Sequence, residues 1–91
     1  MKRYYITVTG KVQGVWFRKH TQERASLLGI KGYVMNQPDG SVYLEAEGPD
    51  GDLELLVDWL KTEGSPSSAV DGVAVEEVPV ANKFTEFTIK R

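Results

Sequence analysis

Cysteine is absent from the sequence. That excludes a disulfide framework, a thiol nucleophile and a cysteine-ligated metal. Histidine occurs once, as His20. It lies off the apolar face of its segment, has no obvious carboxylate partner, and reads as a surface residue rather than a base. No serine sits in a nucleophile elbow or beside the histidine, and no spacing of side chains suggests a zinc or magnesium site. Positive charge is not in excess: 11 Lys and Arg stand against 13 Asp and Glu, for a net charge of −2. This argues against a general nucleic-acid binder, whose affinity comes mainly from surplus cations, but leaves room for a small anionic ligand held by one local cluster. No apolar run reaches 18 residues, so no membrane span is expected. The start, M-K-R-Y-Y-I-T-V-T-G, is too short and too alternating for a signal peptide. The expectation is a cytoplasmic, monomeric protein without metal or cofactor, with one domain over residues 1–91. At this length roughly 60–65% of the unfolded chain's surface is buried on folding, enough for one modest core.

What is present centres on Gly10 to Arg18, G-K-V-Q-G-V-W-F-R. It separates a strand-like segment from a helix-like one. Consecutive backbone N–H groups in a tight loop leading into a helix N-terminus form a concave anion site. An arginine there adds a planar fork of donors suited to phosphate or carboxylate. The plainer alternative is that Gly10 and Gly14 only permit a sharp turn and Arg18 is a solvated helix residue.

The chain on either side gives the fold class. Arg3 to Thr9 alternates, with Tyr4, Ile6 and Val8 on one face, a strand pattern. From Phe17 to Leu28 the period becomes helical, through Phe17, Thr21, Ala25 and Leu28, with Lys19 on the wet side and Gly29 closing the helix. Gly32–Asn36 and Ser41–Glu47 flank the turn Q-P-D-G and read as a hairpin. Val42, Leu44 and Ala46 face the core of this hairpin; Tyr43, Glu45 and Glu47 face out, and the two carboxylates are expected to be solvated. Asn36 ends its strand on the face of Val34, pointing across the sheet end. A break at Gly48–Asp52 precedes a second helix with Leu53, Leu56, Val57 and Leu60 on one stripe and Trp59 off it, at the helix edge. Gly64 stops that helix, a polar loop at Ser65–Ser68 follows, and strands at Val70–Val78 and Phe84–Lys90 complete the chain. The order β-α-β-β-α-β predicts an α+β, ferredoxin-like split β-α-β sandwich: an antiparallel sheet with both helices on one face.

These motifs also resemble a known family. G-K-V-Q-G-V-W-F-R, followed by G-Y-V-M-N and D-G-S-V, resembles the two signatures of the acylphosphatases, and the likeness extends through L-G-I-K-G, G-S-P-S-S-A-V and F-T-E-F-T-I-K-R to cover essentially the whole chain. The resemblance implies hydrolysis of small-molecule acyl phosphates to carboxylate and inorganic phosphate, without metal or cofactor. It implies that Arg18 binds the phosphate, that Asn36 positions the attacking water, and that Gln13, Gly14, Val15, Trp16 and Phe17 form the loop whose backbone amides wrap the phosphate. An acyl phosphate carries a good leaving group, so the absence of a strong general acid is consistent with this chemistry. Two positions depart from the family pattern: Gln37 follows Asn36 where many relatives have a small polar residue, and Ser67 replaces a common basic one.

Two other readings share the topology. A non-catalytic anion sensor would bind phosphate and release no carboxylate. An RNA-binding module is disfavoured by the negative net charge, and because K-G-Y-V at Lys31–Val34 lies on the second strand rather than the first or third.

Overall fold

The computed structural model describes residues 1–14, 16–62 and 68–90. Its elements are β1 (Lys2–Lys11), α1 (Phe17–Leu27), β2 (Lys31–Asn36), β3 (Val42–Gly48), α2 (Asp50–Thr62), β4 (Ala69–Val78) and β5 (Phe87–Lys90). The five strands form one sheet in the order β4-β1-β3-β2-β5. The first four pair antiparallel, with Ile6 opposite Leu44 and Val34 also opposite Leu44. The expected antiparallel sheet needs one correction: β5 lies parallel to β2, with Gly32 opposite Phe87. β4 finishes with Val78 opposite Arg3, at the same end of the sheet where β5 begins. The connector of residues 79–86 therefore crosses the sheet at that end, and β5 has only the direction of β2 to follow.

The alternation of β1 through β3 puts Ile6, Val8, Val34, Val42, Leu44 and Ala46 on one face, all fully buried. The helices cover that face. α1 contributes Phe17 and Ala25, and α2 contributes Leu53, Leu56 and Leu60, to the same core. Burying each large aliphatic side chain of this kind contributes about 1.5–3 kcal/mol. Trp59 is not at the helix edge as its position off the stripe predicts; it is 7% exposed and its ring lies 6.3 Å from that of Phe17. It fills the gap where α1 and α2 approach each other, with the Arg24 guanidinium 5.7 Å over its ring. α1 closes as expected: Ile30 N–H donates to Ala25 O and Gly29 N–H to Ser26 O, a paired C-terminal cap.

The opposite face departs most from the sequence reading. Glu45 and Glu47 are each 5% exposed rather than solvated. The crossing connector covers them. Arg3, itself buried, pairs with Glu45 and lies 4.0 Å from Glu47. The Glu47 carboxylate accepts the N–H groups of Ala81 and Asn82, both at 2.9 Å. Tyr33 donates its hydroxyl to Glu45 at 3.0 Å. Thr85, expected within the last strand, belongs to this connector, since β5 begins at Phe87. The loop at Ser65–Ser68 and the helix stop at Gly64 lie outside the described residues except for Ser68.

Candidate active site

At the end of the sheet remote from the connector, β1 runs into α1 and β2 ends at Asn36. Gly10 does not open the loop between β1 and α1, because β1 continues to Lys11. Gly10 sits where the β1–β4 register shifts, with φ 121°, and a Cβ there would collide with the Ala69 carbonyl oxygen. Its role is this close approach of two strands. The turn proper follows Val12. Gly14 has φ 73°, in the region that costs glycine nothing. Trp16 has φ 63° and ψ 18° without being glycine, a conformation that costs about 1–3 kcal/mol and clusters at functional sites. Val15 lies outside the described residues.

Trp16 is the N-terminal cap residue of α1, and the first turn holds no acidic residue and no side-chain cap. The first bond of the helix runs from His20 N–H to Trp16 O. The amides of Phe17, Arg18 and Lys19 therefore have no acceptor within the helix. These three residues line a cavity of about 440 Å³, in the size range of small-molecule sites. Arg18, Lys19, Asn36 and Gly14 form its polar wall, and Val12, Trp16, Phe17 and Ile89 its apolar one. Among the described residues Arg18 has no ion pair. Asn36 Oδ1 is buried and has no hydrogen-bond partner among the described residues. A buried acceptor left open costs about 1–3 kcal/mol, so a ligand or water that supplies a donor to Asn36 gains that much.

The sequence-predicted residues Gly14, Trp16, Phe17, Arg18 and Asn36 thus share one cavity. Gln13 does not line it. Its side chain turns away, and Nε2 donates to the carbonyls of Gln37 and Ser41, both at 2.8 Å. Lys19 is a lining residue that helical periodicity assigns to solvent; its place directly after Arg18 is the one signal that points to it. Ile89 arrives through the parallel β2–β5 pairing, opposite Val34, and nothing in its own neighbourhood marks it. His20 lies outside the cavity wall, with Glu23 at 3.9 Å on the same exposed helix face, a partner the sequence reading did not assign. At the hairpin tip, the Ser41 hydroxyl and amide donate to Asp39 at 2.6 and 2.9 Å. Those bonds, the hydroxyl's first, hold the Asp39 carboxyl below its ordinary range. Gln37 meets its neighbours through its backbone: its N–H donates to Ser41 O at 2.9 Å. Ser67 lies outside the described residues. Among the described residues, no three His, Asp or Glu side chains converge as a metal site would require, and no helix is long and apolar enough to cross a membrane.

Comparison with known proteins agrees with this geometry. The family model described as Acylphosphatase matches residues 4–89. An acylphosphatase of Methylococcus capsulatus is 44% identical over 91 residues, covering 100% of this chain and 98% of its own. The crystal structure of acylphosphatase from Bacillus subtilis superposes with a TM-score of 0.95 at 38% identity, over the whole of both chains. The same architecture recurs within a larger protein: full-length HypF, in a phosphate- and nucleotide-bound form, contains a region matching 99% of this chain with a TM-score of 0.87 and 29% identity, which is 12% of the HypF chain.

Proposed function

Because the chain belongs to the acylphosphatase family, we propose that it hydrolyses the carboxyl-phosphate bond of small acyl phosphates, giving a carboxylate and inorganic phosphate. The observation that carries the reading is that one cavity is lined by two groups left open among the described residues: Arg18, which has no ion pair there, and Asn36, whose buried Oδ1 has no hydrogen-bond partner there. The phosphoryl group sits in the loop of residues 13–17, its oxygens accepting backbone N–H groups and the Arg18 fork. Both donors act where negative charge concentrates. A water held by the Asn36 amide attacks phosphorus in line. The bond between phosphorus and the bridging oxygen breaks, and the carboxylate leaves with both electrons. The water's proton passes to a phosphate oxygen, so neither His20 nor a metal is required. In a loose phosphoryl-transfer transition state, positioning and charge stabilisation supply most of the catalysis.

The protein works on this reading as a cytoplasmic monomer, one domain over residues 1–91, with the acyl phosphate as its partner and no nucleic acid or membrane. Steady-state hydrolysis of a small aromatic acyl phosphate is the test. Release of carboxylate, inhibited by inorganic phosphate, is the expected result. Phosphate binding without turnover would identify a sensor instead.

A further inference from the structure

Asn36 presents a problem that its own surroundings do not solve. Among the described residues its Oδ1 has no hydrogen-bond partner, and none of them holds that acceptor in place. A group that aims a water at phosphorus must be fixed relative to the phosphate to within a fraction of an ångström. The phosphate loop belongs to the β1–α1 connection and Asn36 to the end of β2, and these are not adjacent strands.

We propose that the Gln13 side chain is a positioning residue that sets the distance between the phosphate loop and Asn36; this rests on the roles given above to the loop and to Asn36. Asn36 and Val42 are the last cross-strand pair of the hairpin. Just beyond them stand Gln37 and Ser41, joined by the bond from Gln37 N–H to Ser41 O. Gln13 Nε2 donates to both of their carbonyl oxygens, at 2.8 Å each. One amide nitrogen with two hydrogens thus grips both strands of the hairpin next to Asn36, from within the loop that wraps the phosphate. Gln37 O already accepts from Gly40 N–H, at 3.1 Å, so the grip is added to a turn that is complete without it. The turn does not need Gln13 to form; the alignment of turn and loop does.

The test is a double-mutant cycle in the full chain. Gln13→Met keeps length and removes both donors. Gln13→Glu keeps the shape, but its carboxylate only accepts and faces two carbonyl oxygens. Both variants should lower kcat by about 10- to 100-fold, the scale of a misplaced reacting group, while inhibition by inorganic phosphate holds near its wild-type strength. In an Asn36→Ala background the same changes should cost less than about 3-fold, because residues acting through one another are not additive. Loss of phosphate inhibition in step with kcat would place Gln13 in the cradle and overturn the proposal. So would an equal loss in both backgrounds, or a lowered Tm in either variant with kcat unchanged. Should one variant fail to fold by circular dichroism, the other carries the cycle. Turnover by the wild type tests the underlying reading separately.

Discussion

Arg3 and Arg18 carry the same guanidinium to opposite ends of the sheet. Arg3 is 8% exposed, pairs with Glu45, approaches Glu47, and donates to Pro79 O at 3.3 Å. Arg18 is half-buried on the cavity wall with no ion pair among the described residues. A cation matched by carboxylates is committed to the fold, since removing it strands the charges it was matched to. A cation with no ion pair among the described residues, beside helix amides that have no acceptor within the helix, is available to an anion from solution. The two ends differ in the same way throughout. Glu47 satisfies the amides of Ala81 and Asn82 on one side, whereas the first turn of α1 has no acid on the other.

Substitutions can break or sharpen this contrast. The largest effect is expected at Arg18. Arg18→Ala should cut kcat/KM by at least about 10³-fold, the upper range for one charge-stabilising donor, with the far-UV circular dichroism of the wild type. Arg18→Lys should remain severely impaired, because an ammonium lacks the two-pronged geometry; near wild-type turnover there would reduce Arg18 to a generic charge. Next comes Arg3→Met. Leaving Glu45 and Glu47 buried without their cation should cost about 3–5 kcal/mol of stability in denaturant unfolding, a large share of the roughly 5–15 kcal/mol available to a small domain. Turnover per folded molecule should hold. A variant that unfolds no sooner would show that the buried cluster does not depend on Arg3.

Asn36→Ala should lower kcat and kcat/KM together by roughly 10²-fold, with inorganic phosphate still inhibiting at close to its original strength. A change confined to KM would move Asn36 into the cradle beside Arg18. The smallest effects are expected at groups outside both clusters. His20→Ala should retain most of kcat, and activity should persist in excess EDTA. Loss in EDTA, restored by one divalent metal, would refute the metal-free route.

The site was legible where it is local. Gly14, Trp16, Phe17 and Arg18 fall within five consecutive residues, and a loop that enters a helix at a free N-terminus exposes its amides whatever the rest of the chain does. Asn36 was legible as the last residue before a turn whose Pro38, Asp39 and Gly40 announce it. Gln13 lies between β1 and α1, but the direction of its side chain is not readable from the sequence. Its partners, Gln37 and Ser41, stand 24 and 28 residues away. Lys19 and Ile89 were missed for related reasons: a two-faced helix pattern has no category for a residue at the helix mouth, and Ile89 reaches the cavity only by pairing with β2.

Period and turn chemistry in the sequence by themselves determined the order of elements, the buried stripe of each helix and the loop that opens the cavity, because each depends on neighbours within a few residues. The far face of the sheet was decided elsewhere. Alternation along β3 says only that Glu45 and Glu47 point away from Leu44; whether that side meets water depends on what crosses it. The connector of residues 79–86 crosses it because β4 and β5 occupy opposite edges of the sheet and meet at the same end. Burial of the two carboxylates, their pairing with Arg3 and the parallel direction of β5 follow from that path through space, which no local pattern encodes.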